Sequence, residues 1–169
     1  MKLSVEKINQ PTSKVSFNCG VRSIQRLVGE AYEATLYKQA VAYNILLDGV
    51  VVGQYMLTIA AVDVCDYTWT YGRYKFPVVK IEYLAVEENK QGIGIGTAIL
   101  ARIAAEAKYY SQIYPFRFLY FDSVQDRVEW YKERGFSNFP GKSYDEYTVP
   151  MCMDFIDQAA VDQFCENEI

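Results

Sequence analysis

The stretch that most constrains this chain is VVKIEYLAVEENKQGIGIGTAIL, residues 78 to 100. Its first part, Val78 to Val86, reads as an apolar strand, and its last part opens a helix running from Gly94 to about Tyr110. Between them three glycines, Gly92, Gly94 and Gly96, alternate within five residues. Glycine costs backbone entropy in a regular element, so this density needs a reason. Between a strand and a helix the usual reason is an anion brought close to the backbone, facing the N–H groups and dipole of the helix start. The plain alternative is a tight strand–helix turn. A Walker loop requires Lys after the last glycine, and Thr97 stands there. A dinucleotide fingerprint, G-x-G-x-x-G, places its third glycine on Thr97 or Ile99 and fails twice. The pattern left is Gln91-x-x-Gly94-x-Gly96.

The rest of the chain supplies a frame for this unit. Met1 to Ile8 reads as a short strand. A helix is expected from Val21 to about Lys38, with Ile24, Leu27, Val28 and Ala31 on one face. Val41 to Leu47 and Val51 to Ala60 read as strands, and Asp48-Gly49 between them is a strong hairpin signal. Asp63 to Phe76, rich in aromatic residues, reads as a loop. After the glycine-rich unit come a strand at Arg117 to Phe121 and a helix at Val124 to Arg134 capped by Gly135. A strand at Tyr144 to Phe155 and a weakly amphipathic tail at Gln158 to Asn167 complete the chain. The order predicts an α+β fold with a mixed central β-sheet flanked by helices, antiparallel on one side with a parallel crossover in the middle. At 169 residues the chain is expected to form one domain, 1–169.

Composition removes whole classes of chemistry. There is no histidine, which excludes His-based metal sites and the Ser-His-Asp and Cys-His nucleophile systems. The four cysteines, at 19, 65, 152 and 165, are scattered and form no CxxC pair, so no metal site is expected. Acid–base work falls to Glu, Asp, Tyr, Lys or water. A net charge of -4 argues against a broad phosphate-backbone footprint. No signal-peptide core and no membrane-length apolar run is present, so the expected location is cytoplasmic, away from membranes.

The strand, the Gln91-x-x-Gly94-x-Gly96 loop and the helix, in that order, resemble the coenzyme A pyrophosphate loop of the GCN5-related N-acetyltransferase (GNAT) family. The resemblance implies the acyl-CoA N-acyltransferase fold, three layers α/β/α, with acetyl-CoA as co-substrate. It implies a coenzyme-binding core at about 78–136 and a tail at about 156–169. Main-chain N–H groups of Gln91, Gly92, Ile93, Gly94, Ile95, Gly96 and Thr97 would cradle the pyrophosphate. The strand before the loop splays from its neighbour in that family. Leu84, Ala85 and Val86 would then offer a free edge to the pantetheine arm and thioester, although alone they read as ordinary strand core.

Residues 128 to 136, VEWYKERGF, read alone as an aromatic helix end closed by a glycine. They also resemble the family's Tyr-x-x-x-Gly-Phe, whose Tyr commonly protonates the departing CoA thiolate. Tyr131 holds that place, and a phenol with a pKa near 10 stays protonated at neutral pH. The chain departs from the family pattern at Val124 and Arg127, where Asn and Ala are frequent. A side-chain contact to CoA would then be missing or come from Ser123 or Gln125. Glu82, on the strand leading into the loop, is the candidate base; strict alternation places it on the face of Leu84 and Val86. An ion-paired rim carboxylate is the plain alternative for it.

Phe17-Asn18-Cys19-Gly20 and the strand VVGQYMLT, residues 51 to 58, resemble a subgroup of acetyltransferase toxins directed at aminoacyl-tRNA. That implies tRNA or an antitoxin as partner, while the GNAT resemblance at large implies a small-molecule or peptide amine. Arg22, Arg26, Lys38, Arg73, Lys75 and Lys80 are candidates for a local basic patch. A homodimer is compatible with the sequence, and so is a coenzyme-binding module without catalysis. The presence of both Tyr131 and Glu82 favours an active enzyme.

Overall fold

The structure, a computed structural model, describes residues 2–11, 17–63, 75–140 and 146–167. In chain order its elements are β1 (Leu3–Lys7), α1 (Arg22–Leu36), β2 (Val41–Leu47), β3 (Val50–Asp63), β4 (Lys75–Val86), α2 (Ile95–Ser111), β5 (Phe118–Val124), α3 (Val128–Lys132), β6 (Ser137–Asn138), β7 (Thr148–Asp154) and α4 (Gln158–Asn167). The seven strands make one sheet in the order β1-β2-β3-β4-β5-β7-β6. Among the described residues only β4 and β5 pair parallel. α2 is the crossover joining them, as parallel neighbours require.

Two apolar faces decide the layering. The apolar stripe of α1, with Val28 and Ala31 fully buried, packs on Ala42, Met56, Tyr83 and Ala85. On the opposite face Ile95, Ile99, Ile103 and Ala107 of α2 cover Ile45, Tyr55, Ile81, Leu119 and Met151, joined by Val128 of α3. The result is the three-layer α+β arrangement with a mixed sheet. Asp48 and Gly49 turn β2 into β3 with φ of 50° and 83°, the left-handed pair that a type I′ turn requires.

Several boundaries differ from the sequence reading. β3 runs on to Asp63 and β4 begins at Lys75, because the hairpin keeps pairing as far as Asp63↔Lys75. The rest of the expected aromatic loop, 64–74, lies outside the described residues. The helix expected from Val124 starts at Val128. Strand β5 holds Ser123 and Val124 through pairing with Val149 and Thr148, and a 3₁₀ turn at Gln125–Arg127 intervenes. The last long strand starts at Thr148 rather than Tyr144, which lies outside the described residues, and the short β6 was not anticipated.

Candidate active site

The centre of the sheet opens. β4 and β5 pair at Val78↔Phe118, Val79↔Leu119 and Lys80↔Tyr120, and the ladder ends there. β4 continues to Val86, held on its other side by β3. Among the described residues, the main-chain groups of 81–86 that face β5 have no strand partner. Leu84, Ala85 and Val86 lie on this free edge.

A bulge sits where the strands part. Met56 pairs with Tyr83 and Leu57 with Ile81, so Glu82 is one residue too many. The extra residue resets the alternation. Ile81, Leu84 and Val86 face α2, while Tyr83 and Ala85 face α1. Glu82 therefore does not share the face of Leu84 and Val86, as strict alternation required. It lies on the α1 side, where Thr58 Oγ1 donates to its Oε1 at 2.7 Å and Lys80 Nζ stands 3.2 Å from Oε2. Lys80 also approaches Asp122 Oδ2 at 3.6 Å, and the Tyr120 hydroxyl donates to Asp122 Oδ1 at 2.8 Å. The ion pair foreseen as the plain alternative for Glu82 is present.

The glycine loop is braced from beneath and open above. Gln91 Nε2 donates to Val86 O at 3.0 Å and to Cys19 O at 3.1 Å. Gly92 and Gly94 have φ of 78° and 92°, so their glycines serve the backbone path. Gly94 is the N-cap of α2 and supplies no side-chain cap, leaving the first N–H groups of α2 unmatched by a capping side chain. Gly96 is different. Its φ is ordinary, and a Cβ built on it would meet nothing within 4 Å. Neither conformation nor packing demands glycine at that position. Ile95, 2% exposed, anchors the helix start, while Ile93 is exposed.

The segment Phe17 to Gly20 is tied to this loop. Gln25 Nε2 donates to Phe17 O at 3.0 Å, its Oε1 accepts from Cys19 N at 3.1 Å, and Glu88 N donates to Asn18 O at 2.8 Å.

Tyr131 stands on the other arm of the opening. Its ring lies 4.3 Å from that of Phe121, the first residue of β5 beyond the ladder, and 4.8 Å from that of Trp130. Burial pushes the phenol above its ordinary pKa of 10, with the Arg127 charge pulling weakly the other way. Gly135, φ 85°, closes the helix, and Phe136 is buried beneath it. Of the two substitutes for a missing CoA contact, Ser123 spends its hydroxyl on Val124 O at 2.9 Å, and Gln125 is exposed.

The sequence reading passed over Arg134. Its Nε donates to Thr97 Oγ1 at 3.2 Å, its Nη1 to Trp130 O at 2.6 Å, and its guanidinium lies 4.0 Å over the Trp130 ring. Nothing local in VEWYKERGF signals a partner 37 residues away on α2.

Among the described residues of the proposed basic patch, Arg22 and Arg26 lie on α1, Lys38 just past its end, and Lys75 and Lys80 on β4. Arg22 and Lys38 sit at opposite ends of α1, 15 residues and roughly 22 Å long. Lys80 is ion-paired, and Arg73 lies outside the described residues. Cys19 and Cys152 are buried, and burial pushes the Cys152 thiol up to about 11. An apolar cavity of about 430 Å³ lies under the far half of α2, lined by Tyr43, Leu57, Val79 and Tyr110. Its lining on α2 begins at Ile103, roughly 12 Å along that helix from Ile95, and includes neither Glu82 nor Tyr131. Among the described residues no group of three or more Cys, Asp or Glu side chains is placed to hold a metal, and no helix is long and apolar enough to cross a membrane.

A free strand edge, an opening beside it, and a loop cleared at Gly96 fit a ligand with an extended arm and a phosphate end, which is the shape of acetyl-CoA. Comparison with known proteins agrees. The model of the acetyltransferase (GNAT) family matches residues 18–136. No curated protein sequence matches the chain. Among solved structures, a bacterial toxin superposes with a TM-score of 0.74 at 18% identity, covering 95% of each chain. A Tyr-to-Phe variant of KacT gives 0.75 at 16% identity, covering 97% of this chain and 99% of that one. AtaT complexed with acetyl-methionyl-tRNAfMet gives 0.73 at 18% identity, covering 96% and 99%. At such identities these structures speak for the fold, and the family match speaks for the chemistry: the chain belongs to the GNAT family and is an acyl-CoA-dependent N-acetyltransferase.

Proposed function

We propose that the chain transfers an acetyl group from acetyl-CoA to a primary amine by direct attack on the thioester. The observation that carries this reading is the parting of β4 and β5 after Lys80 and Tyr120, with Glu82 on one arm and Tyr131 against the other. The pantetheine arm pairs with the free edge at Leu84, Ala85 and Val86, and a strand N–H polarises the thioester carbonyl. Main-chain N–H groups from Gly92 to Thr97 hold the pyrophosphate, while that of Gln91 donates to Glu88 O at 3.3 Å. Glu82 lies on the α1 face and Tyr131 on the α2 face. The amine gives up its proton to Glu82 on one side, and Tyr131 protonates the departing thiolate on the other. A phenol held above its ordinary pKa remains a proton donor at neutral pH. An acyl-enzyme route has no support, since neither the glycine loop nor VEWYKERGF contains a cysteine, Cys19 is buried, and the buried Cys152 thiol stays protonated.

A second reading concerns the acceptor: the amine of an aminoacyl-tRNA, in the cytoplasm, with an antitoxin as partner. Two observations support it. The similarity to AtaT, solved with acetyl-methionyl-tRNAfMet and also with its antitoxin AtaR, spans more than nine-tenths of this chain. The Phe17–Gly20 segment is fastened to the coenzyme loop through Gln91 and Glu88. The net charge of -4 weighs toward a small or peptide amine.

The test is release of free CoA thiol from acetyl-CoA with a panel of polyamines, peptides and aminoacyl-tRNAs. Turnover with at least one amine is expected, and preference for aminoacyl-tRNA selects the second reading. Binding of acetyl-CoA without turnover on any of them would leave a coenzyme-binding module and sink the enzymatic proposal.

A further inference from the structure

We propose that Arg134 is the side-chain counter-ion of the coenzyme's pyrophosphate; this rests on the acetyl-CoA reading of the loop. α2 begins with Ile95, Gly96 and Thr97, and Arg134 Nε donates to the Thr97 hydroxyl at 3.2 Å. A helix N-terminus carries about half a positive charge, so a cation in its first turn is repelled. Its carboxylate neighbour, Glu133, lies 3.5 Å from Nη1 with a side chain 74% exposed, where solvent screens the pair. Positive charge thus accumulates at one spot from two elements, and an anion between them relieves both.

The guanidinium is also held for the purpose. The Trp130 ring lies 4.0 Å beneath it, and the Trp130 carbonyl fixes Nη1 at 2.6 Å. A guanidinium has five N–H donors in a fixed fork. Thr97, Trp130 and Glu133 engage Nε and Nη1, so the Nη2 donors are uncommitted among the described residues. Gly96, beside Thr97, leaves out a side chain that nothing in the protein would obstruct. The clearance and the spare donors meet at the same turn of α2, as recognition of a phosphate group requires.

Calorimetric titration with CoA, 3′-dephospho-CoA and pantetheine, the last at millimolar concentration, tests this on the wild type, Arg134→Gln and Arg134→Lys. Arg134→Gln is expected to weaken CoA and dephospho-CoA alike, by roughly 10- to 100-fold, and to leave pantetheine unchanged. Arg134→Lys, which keeps the charge and loses the fork, is expected to fall between. An equal loss toward pantetheine would show that Arg134 only shapes the fold. A loss confined to CoA would assign it to the 3′-phosphate, and no loss would remove it from the site. Each of these overturns the proposal. Failure of the wild type to bind either nucleotide would instead strike the coenzyme reading itself.

Discussion

Gly53 and Gly96 lie on either side of β4, and each lacks a side chain for a different reason. Gly53 sits in β3, paired with Val86, and a Cβ there would run into the main-chain oxygen of Ala85 and crowd the Ile45 side chain. Its glycine serves the protein's own packing. Gly96 has an ordinary φ and open space around its missing Cβ. Its glycine lowers helix stability by roughly 1 kcal/mol relative to Ala and repays nothing inside the fold. A position that costs stability and relieves no internal clash is one whose reason lies outside the chain. Gly53 thus answers to the packing of its own hairpin, and nothing within 4 Å accounts for Gly96 in the same way.

The comparison breaks most directly at Gly96. In Gly96→Glu a better helix former with a negative charge enters the first turn of α2, so the free protein should melt at the same temperature or higher. The same carboxylate stands where a pyrophosphate would, and binding of acetyl-CoA should fall by more than about 1000-fold. The rise in melting temperature that acetyl-CoA gives the wild type should vanish. A retained shift in this folded variant would return the loop to a mere turn.

Tyr131→Phe comes next, because it separates chemistry from binding on the other arm of the opening. The ring and its contact with Phe121 survive, so affinity for acetyl-CoA should hardly change. If the hydroxyl protonates the thiolate, kcat should fall by roughly 10²- to 10⁴-fold. The wild-type kcat should hold through pH 9 and decline only at higher pH, since burial raises the phenol above 10 and its acid form is the active one. Unchanged turnover in the variant would assign Tyr131 to packing.

Gly53→Val tests the opposite class of glycine. Forcing a branched side chain against Ala85 O should cost about 3 kcal/mol, lowering the melting temperature by roughly 6 to 12 °C in a chain of this size. Coenzyme affinity should fall only as far as the free edge of β4 is displaced. A stable Gly53→Val protein would show that β3 and β4 part more easily than their register implies.

What the sequence disclosed follows the same division. The strand, the glycine-rich turn and the helix start were legible because their determinants lie within some twenty consecutive residues: an apolar run, a spacing of glycines, a helical pattern. The hairpin at Asp48-Gly49 was legible for the same reason. The bulge at Glu82 was not, because it is a mismatch in count between two strands, visible only once Met56 meets Tyr83 and Leu57 meets Ile81. Its hydrogen-bond partner Thr58 is 24 residues away, and no local pattern announces it. Arg134 was hidden likewise by its distance from Thr97. The helix expected at Val124 failed because β7 claims that backbone first; a helical spacing of Val124 and Val128 does not outweigh ladder pairing with Thr148.

Gln91 joins the two regions and should show the smallest effect. Its side chain donates to Val86 O at the end of β4 and to Cys19 O in the N-terminal segment, so it works as a brace beneath the loop. Gln91→Ala removes both hydrogen bonds from a site water can reach, which should cost about 1 to 2 kcal/mol and lower the melting temperature by roughly 2 to 8 °C. Acetyl-CoA affinity should weaken only a few-fold, as the loop loses preorganisation and keeps its main-chain donors. Gln91→Glu is the sharper variant. It has the same shape, but its carboxylate would confront two carbonyl oxygens with no proton to offer, so it should destabilise the free protein more than Ala does. If Gln91 instead touched the coenzyme, the ranking would invert: Gln91→Ala would leave the melting temperature alone and lose affinity by 10-fold or more. Differential scanning of both variants with and without acetyl-CoA distinguishes the two. The first outcome keeps Gln91 with the self-supporting part of the fold, although it stands at the head of the motif that marks the proposed coenzyme site.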